Sequence, residues 1–301
     1  MVCRFIIQHQ CRTPGSGATG RNGGHFLALP YDGFSSRSSR TDEPPSQGDG
    51  MRAALLEMET VKNIRSLIER NGWAEDVNLR ANDHTRIFLT PEEENEDLKE
   101  YTTAKDAGVP WDGIYRLTRD EMIKKHGVNY PGVTIPAGSI WPVKLATKIF
   151  QLAMSEADGA SVALSLHTHT PAETVELLDA GVTTHRGFPL WTVRTPRGPL
   201  ITRFVIYASN AWTAHLLPQF AMPISERETK NEDGEDSEAS SVKLKSDPPR
   251  GTWIAPYRGQ MVATRANVPP NKLSRRGWAS DWMENYWLPR HGSFGFGLDG
   301  A

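Results

Sequence analysis

"PGSGATGRNGGH", Pro14 to His25, is the stretch whose reading decides the rest of the chain. Gly15, Gly17 and Gly20 spell G-x-G-x-x-G, the spacing with which a strand, a tight turn and a helix N-terminus receive a dinucleotide pyrophosphate. That mechanism requires a buried strand before the glycines and a helix after them. Upstream, "FIIQHQCRTP" is a poor central strand, and Pro14 directly precedes the first glycine; downstream, Arg21 to Gly24 do not start a helix. The spacing matches and its context does not. The stretch is therefore expected as an extended loop with no helix beginning at Gly20. It offers small side chains, approachable backbone amides, the Ser16 and Thr19 hydroxyls and the Arg21 cation, which suit a flat or anionic cofactor. A plain flexible loop is the competing reading.

Working outward, 301 residues allow one large core or two ordinary ones, and 38% hydrophobic with 23% charged is a globular composition. The 34 basic and 36 acidic residues nearly cancel, to a net charge of -2, so no global field draws the chain to nucleic acid or to an anionic membrane. Small-molecule partners are expected. Cys3 and Cys11 suit neither a disulfide framework nor a zinc site, which points to a reducing, cytoplasmic setting with a single redox pair left open. The apolar patch Phe5 to Ile7 is far too short for a signal-peptide core, so no targeting segment is expected.

The polar run Ser35 to Gly50 reads as loop, and a helix follows it. Asp49 is positioned to cap, and Ala54, Val61, Ile64 and Ile68 recur at helical spacing up to Asn71-Gly72. "VNLR" and "TRIFL" are two short strand candidates. Thr90 is a natural N-cap before Pro91 and Glu92 to Glu94, and Thr118 with Glu121 forms a capping box for a helix that Gly127 ends. From Ala160 onward "SVALSLHTH", "FPLWTVRT" and "PLITRFVIYAS" predict an antiparallel meander, with a hairpin turn at Pro196 to Gly198. Residues 225–250 are acidic and nearly free of large apolar side chains, so they read as a disordered insertion.

"SGATGRNGGH" resembles the second flavin-contacting segment of FAD-dependent oxidoreductases of the D-amino-acid-oxidase type, in particular members that oxidise amines and amino acids. The resemblance continues in order. "YPGVTIPAGSIWPVKLATKIFQLA" is similar to the family's return from the substrate domain through a helix. "LHTHTPAETV" resembles its strand and turn beside the adenine, and "VRTPRGPLITRFVIYASNAWTAHLLP" the stretch that recrosses the central sheet. "PYRGQMVAT" and "ENYWLPR" are similar to the return into the substrate sheet and the strand that follows. The resemblance implies an α/β chain, a partial FAD-binding Rossmann-like domain interleaved with an α+β substrate domain that carries an antiparallel sheet. The FAD-binding part would be 1–75 with 158–224, and the substrate part 76–157 with 251–301. It implies FAD as cofactor, held by Ser16, Gly17, Ala18, Thr19, Arg21, Asn22, Gly23, Gly24, His25, Ala172, Ala208, Asn210 and Ala211. Relatives often carry valine where Ala172 stands. The last sheet strand of the recrossing stretch would end at Ala208.

The implied chemistry is flavin-dependent oxidation of a C–N bond in an amine or amino acid, in which the cofactor does the difficult step and the protein orients the substrate. No catalytic residue is assigned. Arg258 is a candidate for holding a carboxylate, with a structural role as the competing reading. Relatives begin with a βαβ unit of ~30 residues or more that carries the true fingerprint and a ribose-binding glutamate, and they continue into a further glycine-rich segment. Neither is found here, so the chain is expected to correspond to the middle of a family member and to bind FAD poorly as it stands. A non-catalytic remnant or regulatory fragment is the rival from another class. A metal-dependent hydrolase built on His167 and His169, two residues apart on one strand face, is the distant alternative; no metal is expected, since the other histidines form no ligand pattern. Ser16 does not sit in a G-x-S-x-G nucleophile elbow. Trp141, Trp191, Trp212, Trp253, Trp278, Trp282 and Trp287 are expected to serve packing.

Overall fold

The structure, a computed structural model, describes residues 4–9, 13–39, 44–110, 112–159, 162–178 and 187–221, with 254, 262, 269, 274, 276–280 and 285–288. The chain opens with β1 (Arg4–His9), α1 (Ala18–Arg21), β2 (His25–Leu27), α2 (Phe34–Ser38) and α3 (Asp49–Arg70). There follow β3 (Arg80–Ile87), α4 (Pro91–Asp106), β4 (Tyr115–Leu117), α5 (Arg119–His126), β5 (Gly132–Ser139) and α6 (Pro142–Gly159). Next come β6 (Val162–His167), β7 (Thr174–Leu177), β8 (Trp191–Arg194), β9 (Leu200–Thr202), α7 (Thr213–Leu216), β10 (Gly277–Ser280) and β11 (Asn285–Trp287). This is a mixed α/β fold. It divides into two units, 15–152 with 261–301 and 1–14 with 153–260.

The unit 15–152 with 261–301 is built on a six-stranded mixed sheet in the order β11-β10-β3-β5-β2, with β4 also paired to β5. β3 and β5 pair antiparallel along their full length, Arg80 opposite Ser139 and Ile87 opposite Gly132. The other edge of β5 is shared: β4 pairs with Gly132 to Thr134 and β2 with Ala137 to Ser139. Pro136 falls between those two ladders, where its missing N–H takes nothing from either, so a proline is tolerated inside a central strand. "VNLR" and "TRIFL" were expected as separate strands, but Val77 and Asn78 close a turn and a single strand runs from Arg80. The Val77 N–H donates to Trp73 O and the Leu79 N–H to Ala74 O, so Val77 to Leu79 turn locally and only Arg80 of "VNLR" enters the ladder.

α3 has the helical period its sequence promised: Met51, Ala54 and Ile68 are buried, and Met58 and Ile64 pack at the margins of two cores. Its N-cap is Gly48 rather than Asp49; Asp49 is the first helical residue, and its carboxylate takes Arg52 at 2.7 Å. α4 begins as expected, with Thr90 Oγ1 accepting from the Glu93 N–H and Pro91 in the first turn. The capping box of α5 is complete, and Gly127 ends that helix in the left-handed region at φ 68°.

In the unit 1–14 with 153–260, β1 pairs parallel with β6, Phe5 opposite Ala163 and His9 opposite His167. The stretch around Phe5 is a strand of a two-stranded sheet among the described residues, not a central strand. A separate meander runs β7-β8-β9, antiparallel throughout. It differs from the expected one: "SVALSLHTH" leaves it to pair with β1, and "TVEL", Thr174 to Leu177, takes its place. The turn between β8 and β9 is as expected, with the Gly198 N–H donating to Thr195 O at 3.0 Å. β9 stops at Thr202 instead of reaching Ala208, since Trp191 opposite Thr202 is the last register pair and continuation would run into Pro189, which has no N–H to give. β11 lies within the expected "ENYWLPR" strand, whereas β10 was not anticipated. Residues 225–250, "PYRGQMVAT" apart from Val262, Cys3, Cys11 and Arg258 lie outside the described residues.

Candidate functional site

Gly15 to His25 form a turn, the single helical turn α1, and the entry into β2. The expected extended loop is corrected by this one turn, although no helix begins at Gly20, and the reason lies in the side chains. Arg21 Nε donates to Ser16 O at 2.9 Å, and Asn22 Nδ2 to Ala18 O at 3.1 Å, so two polar residues satisfy the carbonyls that a lone helical turn leaves open. Asn22 Oδ1 also accepts the Gly24 N–H at 2.9 Å. α1 has no side-chain N-cap and no continuation over Arg21 to Leu29, so the fingerprint reading does not return.

The glycines differ sharply. A Cβ on Gly15 would stand 2.2 Å from Val143 Cγ2, one on Gly20 2.0 Å from Gly15 O, and one on Gly24 2.1 Å from Ile140 O. Gly15 and Gly24 also have positive φ, at 74° and 77°. These three are fixed by packing and backbone conformation. A Cβ on Gly17 would meet nothing within 4 Å. Packing leaves the face over Gly17 open, with the exposed Ala18, Thr19 and Arg21 beside it.

The other expected contact residues belong to the second unit. Ala172 is half-buried just before β7, and Ala208 is exposed in the irregular segment after β9. Asn210 is exposed at φ 48° and opens a 3₁₀ turn that includes Ala211. Trp212 is largely exposed rather than a packing residue, and Trp287 is half-exposed on β11. His167 ends β6, its Nε2 2.8 Å from Ser165 Oγ, while His169 lies beyond the strand at φ 50°, near Thr13. The expected shared strand face for these two histidines is thus lost, because the chain turns after His167. No group of three or more His, Cys, Asp or Glu converges among the described residues.

Two clusters escaped sequence reading. On β2 and β3 the rings of His25 and His84 meet edge to face at 5.0 Å, and Tyr286 on β11 lies 5.0 Å from His25. His84 is fully buried. Burial, then His25 and Arg86 nearby, push its pKa down to about 3; burial likewise lowers that of His25. Both rings are held neutral. The second cluster joins Arg86, Asp97 and Arg116: Asp97 is bonded to Arg116 and lies 3.2 Å from Arg86, and the Arg116 guanidinium sits 4.9 Å over the Phe88 ring. Burial raises the Asp97 pKa against the pull of the two cations. The nearby Tyr31 hydroxyl is raised well above its ordinary value, by burial first and Asp97 second. Pairing of buried charges explains this cluster as a structural tie between α4, β3 and β4. In sequence these residues are 11 and 19 positions apart, without a motif.

No helix among the described residues is long and apolar enough to cross a membrane. No protein-family model matches the chain, and no curated protein does. Solved structures do. The chain is similar to glycine oxidase from Geobacillus kaustophilus, at 18% identity over 70% of this chain and 50% of that one, with a TM-score of 0.45. It is similar to L-amino acid deaminase from Proteus myxofaciens, at 14% identity over 71% and 42%, with a TM-score of 0.46. A third is iminodiacetate oxidase from Chelativorans sp. BNC1, at 16% identity over 72% and 51%, with a TM-score of 0.45. The chain spans about half the length of these solved structures.

Proposed function

We propose that this chain supplies a flavin-contacting loop of an FAD-dependent oxidoreductase that oxidises the C–N bond of an amine or amino acid, in the cytoplasm. The observation that carries the reading is the open face at Gly17 within a loop in which Gly15, Gly20 and Gly24 are fixed by packing. Packing does not require this glycine, which caps the start of α1, and its bare Cα lets a ligand approach the backbone closely. Ser16, Gly17, Ala18 and Thr19 would hold the cofactor, with the Arg21 cation facing its anionic part and the neutral backbone amides supplying donors. Ala172, Ala208, Asn210 and Ala211 are proposed as further cofactor contacts. FAD bound there would accept the hydride of the oxidation; the chain's own residues hold and orient.

Gly17→Val tests this. Its added side chain enters empty space, so the thermal midpoint should stay unchanged, while FAD affinity, titrated by flavin fluorescence, should weaken at least roughly tenfold, about 1.4 kcal/mol. Equal affinity in the two folded proteins, or no FAD binding by the parent chain, would overturn the reading.

A further inference from the structure

We propose that His25 and His84 form an acid-sensitive latch that holds β10 against β3. The latch has three parts. β10 joins the sheet through a short parallel ladder in which Gly277 pairs with His84 and Ala279 with Arg86. A Cβ on Gly277 would stand 2.6 Å from His25 Nε2 and 2.9 Å from His84 Nδ1, so both imidazoles close directly on the bare Cα of this glycine. His25 Nε2 and both ring nitrogens of His84 are buried without a hydrogen-bond partner.

Neutral rings fill this space; an imidazolium does not suit it. Protonation would give His84 two N–H donors with no acceptor, beside a second imidazole and the Arg86 cation. The carboxylates nearby, Asp97 and Asp32, are paired to Arg86 at 3.2 Å and 3.5 Å, and none is bonded to His25 Nε2 or to either ring nitrogen of His84. β2 contributes His25, β3 contributes Arg86, β11 contributes the Tyr286 ring, β5 places Ile135 opposite His84 and Ser139 opposite His25, and β10 contributes Gly277. Asp83 is held by Arg276 and lies on the opposite face of β3 by strand alternation. A proton is therefore taken up by opening: β10 leaves β3, His84 reaches water, and β11, paired to β10, follows. In this reading the protein keeps β10 and β11 docked at neutral pH and releases them in acid, while the β3–β5 ladder stays formed.

Hydrogen–deuterium exchange of the full chain, corrected for the intrinsic pH dependence of exchange, reads this directly. Opening that exposes His84, of ordinary pKa 6.5, should cut the protection of residues 277–280 at least roughly thirtyfold between pH 7.5 and pH 5, and exposure of His25 should add to that fall. Protection of β3 and β5 should fall far less. His84→Leu and His25→Phe should each flatten the pH dependence at 277–280, since each removes one proton acceptor. Protection at 277–280 that is constant from pH 7.5 to pH 5 in the parent chain overturns the latch, and that measurement needs no variant. A slope preserved in full in either folded variant overturns the two-histidine latch.

Discussion

Phe88, Val133 and Ile135, at the β3–β5 ladder, are at most 1% exposed, whereas Leu177, Ile201 and Phe204, in and beside the β7-β8-β9 meander, are 58%, 56% and 69% exposed. Both regions are written in the same residue types. The sheet owes its burial to cover: Tyr31 of the turn before α2 forms one core with Phe34, Met51, Ala54 and Ala104 of α2, α3 and α4, and Met122 from α5 closes another with Ile87 and Leu117. The meander buries Thr192 and Val193 of its central strand and leaves its flanking apolar residues in water. Strand formation and burial are separate events. The first follows from alternation and turn chemistry, the second from what the rest of the chain brings to the face.

Truncating the two regions should separate them most strongly. Phe88→Ala removes a fully buried ring that also carries the Arg116 guanidinium, and it should lower the stability of the sheet unit by ~3 to 5 kcal/mol in urea unfolding followed by circular dichroism. A loss below about 1 kcal/mol would mean that the site collapses around the deletion and that the contrast in packing is weaker than the contrast in exposure.

A smaller effect is expected at a helix end. Thr118→Ala removes the capping-box side chain of α5 and should cost ~1 kcal/mol, read as a lower urea midpoint with an unchanged slope. The smallest effect belongs to the meander. Phe204→Ser should change stability by no more than ~0.5 kcal/mol, because the ring is already in water, and it should improve solubility. A drop comparable to that of Phe88→Ala would show that Phe204 is covered in solution and would erase the comparison.

The local chemistry of the chain was legible from its residues. Thr90, Pro91 and the Thr118–Glu121 pair specify helix starts within four residues of sequence, and Pro196 with Gly198 specifies a hairpin, because each acts through backbone hydrogen bonds to near neighbours. The glycine stretch was legible in part: its context excluded a long helix, but the one-turn α1 depends on Arg21 and Asn22 bonding back three to five residues, which composition alone does not dictate. Strand partnership was not legible. β6 pairs with β1 across more than 150 residues, and β10 reaches β3 across nearly 200, and nothing in either segment names its partner. The same holds for the clusters. His25, His84 and Gly277 become neighbours only when three strands align in register, and Arg86, Asp97 and Arg116 only when α4 lies by the sheet. The sequence by itself determined the starts of α4 and α5, the stop at Gly127 and the turn between β8 and β9, through short-range hydrogen bonding and backbone preference, whereas the helix α2 lies in the run Ser35 to Gly50 expected as loop. Tertiary structure alone decided which strands meet, which apolar faces are covered and which polar groups lose their water, because burial depends on atoms far away along the chain.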